Sequence, residues 1–103
     1  MIKLTILYPN ESGKRFDVDY YCNKHMPMAR EKLGKACKGA AVEQGLAGGA
    51  PGTPASYIVI ASLTFDSIAD FQTASAGCAD ALAADLPNYT DIQPIVQISE
   101  IKL

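Results

Sequence analysis

The sequence has no tryptophan, one histidine and three cysteines among 103 residues. A lone imidazole builds a metal site only with cysteine or carboxylate partners at ligand spacing, and none stands at such spacing from His25. Haem needs a single axial histidine, so that chemistry stays open on composition alone. Cys22, Cys37 and Cys78 are odd in number and include no CxxC pair, so reduced thiols are expected, two of them on apolar helix faces. Cations are in short supply too: nine Lys+Arg stand against eleven Asp+Glu, a net charge of −2. With no basic run interleaved with aromatics, there is no footprint for nucleic acid or for an anionic lipid surface. No stretch reaches the ~18–20 apolar residues that would cross a membrane. The first residues lack the charged, apolar and small-residue zones of a secretory signal, so a cytoplasmic location is expected. Nucleophile and phosphate motifs are missing as well. There is no G-x-S-x-G, and the glycine-rich stretch 48–54 lacks a Gly-Lys-Ser/Thr ending.

What is present suffices for one folded domain over residues 1–103, since 49% of residues are hydrophobic and 19% charged. Ile2, Leu4, Ile6 and Tyr8 alternate with polar residues as a strand does, and Pro9-Asn10 ends it. Asp17 is placed to cap a helix, with Phe16 and Tyr21 at hydrophobic-staple spacing. Val18, Cys22, Met26, Ala29, Leu33 and Ala36 then form one apolar stripe. Pro27 interrupts it and predicts a kink or a break between two short helices, the second stopping at Gly39. Residues 40–47 are a weak strand, followed by a mobile Gly/Pro loop. Tyr57 to Phe65 is the strongest strand of the chain. Ser67 and Asp70 make a capping-box-like pair before a helix that Gly77 frays or splits and Pro87 closes. A final strand runs over 92–103, with a bulge expected between Ile98 and Ile101. The order β-α-β-β-α-β is the α+β, ferredoxin-like pattern with an antiparallel sheet.

Two helices cover one side of such a sheet. Yet Ile58 and Ile60 oppose Tyr57 and Val59, so both faces of the central strand are apolar. A second copy stacked on the free face solves this most simply, and a homodimer is expected.

His25 is the residue best suited to proton transfer near neutral pH. It follows Tyr21 by four residues, so both project from adjacent turns on the flank of the apolar stripe. Three roles fit that position: a capping or core-edge histidine that satisfies a carbonyl freed by Pro27, a pocket acid/base, or a metal or haem ligand. Tyr20, Tyr21, Tyr57 and Tyr89 are candidates for a pocket wall, although core packing explains aromatic residues equally. Asp17 reads as a cap.

The segment Phe16-Asp17-Val18-Asp19-Tyr20-Tyr21-Cys22-Asn23-Lys24-His25-Met26-Pro27 resembles the signature of the EthD family, F-x-x-Y-[WY]-x-x-x-H-x-P. Tyr8-Pro9 matches the turn that often ends the family's first strand. The resemblance spans the chain in length and element order. It implies a dimeric α/β barrel with a pocket between sheet and helices in each subunit. Phe16, Tyr20, Tyr21, His25 and Pro27 match the motif, and Tyr21 stands where tryptophan is common. EthD-like proteins accompany an oxygenase system in ethyl tert-butyl ether degradation. Relatives in the wider superfamily include cofactor-free monooxygenases, lactone isomerases, haem-handling enzymes and small lyases. The resemblance therefore implies a protein that binds a small apolar or aromatic metabolite. His25 and Tyr21 would be its catalytic pair, and Phe16, Tyr20, Tyr57 and Tyr89 its ligand-binding residues. The activity expected is that of an isomerase, lyase or monooxygenase with no cofactor and no metal. The alternative is a non-catalytic carrier that assists an oxygenase system.

Overall fold

The computed structural model describes all 103 residues. Strand β1 (Ile2–Pro9) is followed by helix α1 (Val18–Tyr20), a π turn (Tyr21–His25), helix α2 (Met26–Leu33) and a 3-10 turn (Gly34–Ala36). Strands β2 (Gly39–Gln44) and β3 (Tyr57–Phe65) come next, then helices α3 (Ile68–Ala76) and α4 (Ala79–Asp85), a second 3-10 turn (Leu86–Asn88) and β4 (Ile95–Glu100). The sheet order is β2-β3-β1-β4, and every pairing is antiparallel. This is the ferredoxin-like α+β arrangement expected from the sequence. No helix is long and apolar enough to cross a membrane.

Alternation sets the two sheet faces. Ile2, Leu4 and Tyr8 of β1 and Val59, Ala61, Leu63 and Phe65 of β3 are buried beneath the helices. Lys3, Thr5 and Leu7 point the other way. Cross-strand register puts Leu7 opposite both Ile60 and Ile95, so three apolar residues form a row across the outer face. Farther along that face the partners are Thr5 with Ser62 and Gln97, and Lys3 with Thr64 and Ser99. The outer face is thus apolar at one end and polar at the other.

The helical segment departs from expectation at Pro27. The chain does not break there: Met26 stays in the right-handed helical region at φ −66°, ψ −41°, and its N–H reaches back to the carbonyl of Tyr21. That bond spans five residues, one more than in an α-helix, and the extra residue turns the register. The wide turn ends just before Pro27, which has no N–H to donate. The expected stripe therefore fails at Cys22, which is exposed. The buried line is instead Tyr21, His25, Met26, Ala29 and Leu33.

Caps behave as read. Asp17 accepts a bond from the Tyr20 N–H at 3.0 Å, and Ser67 accepts one from the Asp70 N–H at 3.1 Å. Gly77 divides α3 from α4. Gly34, at φ +67°, ends α2, rather than Gly39. Gly39 opens β2, where an added Cβ would lie 2.9 Å from Thr64 Oγ1. The last strand is shorter than expected and pairs regularly with β1. The irregularity lies between Tyr8 and Pro9 instead.

Candidate functional site

The site begins with a short lashing between two distant loops. Arg15 donates to the carbonyl of Pro87 at 2.7 Å, and its own carbonyl accepts the Thr90 hydroxyl at 2.7 Å. The Asp17 N–H donates to the carbonyl of Tyr89 at 2.8 Å, and Phe16 bridges to Thr90. These bonds press the 86–91 segment onto the start of α1 and drive Tyr89 into the core.

Around Tyr89 an aromatic cluster closes. Its ring centroid lies 4.9 Å from Tyr21, 5.4 Å from Phe16 and 4.7 Å from His25, and it stacks on Tyr20 at 6.2 Å. Tyr8 packs edge-on to Phe16 at 4.8 Å. Tyr21 and His25, four residues apart at the two ends of the π turn, stack with their planes 14° apart.

His25 is 7% exposed, and its Nδ1 lies 2.8 Å from Asp85 Oδ2 at the end of α4. The other carboxylate oxygen accepts from the Tyr20 hydroxyl at 2.7 Å and from Asn88 Nδ2 at 2.9 Å. Burial pushes the Asp85 carboxyl up, but the bonds from Asn88, Tyr20 and His25 outweigh it and hold the group below its ordinary 3.8. An ionised carboxylate only accepts, so Nδ1 carries a proton. Nε2 has no protein partner, and His25 lines a cavity of about 320 Å³ between sheet and helices. The wall is otherwise nearly all hydrocarbon, from residues such as Leu4, Ile6, Met26, Phe71, Leu82 and Val96.

The carboxylate fixes a pH dependence. A folded-state pKa below the unfolded value contributes stability above the unfolded value, and that contribution is lost as pH falls through the folded one. Asp85→Asn should therefore be less stable than wild type at neutral pH, and the gap should close in acid below 3.8. Urea melts of both proteins across that range would show it, and a gap independent of pH would contradict it.

The sequence-derived site residues divide. His25, Tyr21, Tyr20, Phe16 and Tyr89 come together. His25 and Tyr89 line the cavity, whereas Tyr21, Tyr20 and Phe16 stand behind it. Tyr57 sits at the start of β3, paired with Pro9, and neither lines the cavity nor joins the cluster. The Tyr21 hydroxyl is sealed and faces Tyr8 without a well-formed bond. An unsatisfied buried hydroxyl is costly, so Tyr21→Phe should raise stability by ~1 kcal/mol. Chemical denaturation would read the change, and an equal loss would mean that the hydroxyl has a partner in solution. Two further members, Asp85 and Tyr8, carry no sequence signal that marks them as site residues.

Fold and site together define a ferredoxin-like α+β protein with an apolar helix–sheet cavity and a histidine–carboxylate pair at its edge. The EthD domain matches residues 12–93, and the chain belongs to that family. An EthD-like protein from Ralstonia eutropha JMP134 is 42% identical, over 99% of this chain and 92% of its own, with a TM-score of 0.94. An ethyl tert-butyl ether degradation (EthD) family protein from Bacillus halodurans C-125 is 20% identical over 99% of both chains, with a TM-score of 0.76. A dimeric protein of ferredoxin-like fold from Bacteroides fragilis NCTC 9343 is 14% identical over 97% of this chain and 95% of its own, with a TM-score of 0.58. No curated protein matches the chain.

Proposed function

We propose that the protein is a cytoplasmic homodimer that binds a small apolar or aromatic metabolite in the helix–sheet cavity and uses His25 as its acid/base. The observation that carries this reading is the 2.8 Å bond between His25 Nδ1 and Asp85. It holds the ring in one tautomer and leaves Nε2 as the free nitrogen of a residue in the cavity wall. The carboxylate is itself fixed by Tyr20 and Asn88, so the ring is held in place as well as satisfied. Tyr21 stacks on the imidazole and is cast as a positioning residue that acts through it. The chemistry that fits is proton transfer, as in an isomerase or lyase. A cofactor-free oxygenation would begin with the same proton abstraction.

A second reading is a carrier that shelters an apolar intermediate for an oxygenase system. The hydrocarbon wall of the cavity favours it, because holding an apolar molecule needs no proton-transfer group.

A panel of small aromatics tested by thermal shift decides whether the cavity binds. A saturating compound at ~100 times its dissociation constant should stabilise the protein by about 2.7 kcal/mol. His25→Ala should keep binding of a purely apolar compound and lose turnover of any substrate found. Full turnover in His25→Ala would remove His25 from the chemistry, and binding with no turnover of any compound in the wild type would leave only the carrier reading.

A further inference from the structure

Three phenols meet at the His25 end of the cavity, each able to donate one proton and to accept another. Tyr8 Oη and Tyr89 Oη lie 2.9 Å apart, and either can donate to the other. One bond commits one proton. The hydroxyl that accepts keeps its own proton, and no further protein acceptor meets it. The Tyr21 hydroxyl is buried beside them and faces Tyr8 without completing a well-formed bond. The three ring centroids lie 5.6, 6.2 and 4.9 Å apart. Buried donors that go unpaired are costly, and a fold keeps them where something else supplies the acceptor. Tyr8 and Tyr89 both line the cavity, and Tyr89 is also the ring nearest His25.

We propose that Tyr8 and Tyr89, with Tyr21 packed behind them, form a site for a hydrogen-bond acceptor at this end of the cavity, and that the molecule bound there carries a phenolate- or enolate-type oxygen on an apolar body. This deepens the reading of the cavity as a small-molecule site and rests on it. Hydroxyl donors fixed by packing in a low-dielectric site favour a developing or delocalised oxyanion. No lysine or arginine lines the cavity, so a carboxylate or phosphate with localised charge would enter without a counter-ion. Burial pushes all three phenols above their ordinary range, so they remain donors at any physiological pH.

Two probes of the same shape test the proposal. 4-Nitrophenol carries the oxygen, and its anion is yellow; 4-nitrotoluene lacks the oxygen. Both would be titrated into the full chain by calorimetry, with the visible spectrum followed for the phenol. The buffer would be set so that free 4-nitrophenol is mostly neutral. The expected result is that 4-nitrophenol gives up its proton to the buffer and binds as the yellow anion, at least about tenfold tighter than 4-nitrotoluene. Tyr8→Phe and Tyr89→Phe should each cut the ratio of the two affinities by about tenfold, and His25→Gln should leave most of it. Both tyrosine variants keep the ring, and if one fails to fold the other still decides. Equal affinity for the two probes overturns the acceptor site while leaving the small-molecule reading in place. So does a ratio untouched by either tyrosine variant, or one abolished by His25→Gln alone. If neither probe binds, the small-molecule reading falls and the acceptor site falls with it.

Discussion

Asp85→Asn is expected to leave the protein folded and to silence His25 as a base. The carboxylate has two different tasks. One oxygen takes bonds from Tyr20 and Asn88, and the other faces His25 Nδ1. An amide that keeps its oxygen on the two donors must turn its NH₂ toward the imidazole. Nδ1 then has to accept, and the ring proton moves to Nε2. A protonated Nε2 in a neutral ring donates and cannot abstract. Any base-catalysed turnover should fall on the order of 10²–10⁴-fold. The state of the ring is readable without a substrate, because His25 is the sole histidine and gives one set of imidazole nitrogen resonances. The ¹⁵N shifts should report a proton on Nδ1 in wild type and on Nε2 in the variant. An unprotonated Nε2 in Asp85→Asn would break the argument.

The other large effect separates the two sides of β3. Val59 is 0% exposed under the helices, whereas Ile60 points to the outer face in line with Leu7 and Ile95. Val59→Asp places a carboxylate in the core with nothing to pair it. The cost, roughly 3–5 kcal/mol or more, is a large part of the stability of a small domain. Val59→Asp should lose its cooperative unfolding transition. Ile60→Asp should stay folded and run as a monomer, because the charge is solvated once the outer face is free. Circular dichroism and light scattering after gel filtration read both outcomes. A wild-type monomer at micromolar concentration would remove the dimer, and an Ile60→Asp dimer would move the interface elsewhere.

Much of this molecule can be read from the chain. Strand β3 falls on the expected residues because its β-branched and aromatic run has one periodicity and polar ends. The caps at Asp17 and Ser67 are local and therefore visible. Pro27 was legible as a disturbance but not as its outcome. A missing N–H can be absorbed by a break or by one wide turn, and tertiary burial of Tyr21 and His25 selects the turn. Asp85 left no mark, since it lies 60 residues from His25 on a helix whose residues form no motif. Only folding brings the end of α4 to the middle of the first helical segment. Tyr57 shows the converse error: an aromatic at the start of a strand carries no sign of which side of the molecule it will reach.

The aromatic cluster also sets what light can report. Without tryptophan, emission and near-ultraviolet dichroism come from five tyrosines, and four of them, Tyr8, Tyr20, Tyr21 and Tyr89, are packed around the site. Rings packed this closely exchange excitation and are held in fixed, chiral orientations. The protein's own optical signal is therefore mostly a signal from beside its cavity. An occupant that touches Tyr8 or Tyr89 should change the phenol emission and the fine structure of the dichroism together, with no dye or tag attached. Tyr57, outside the cluster, supplies the steady background against which that change is measured.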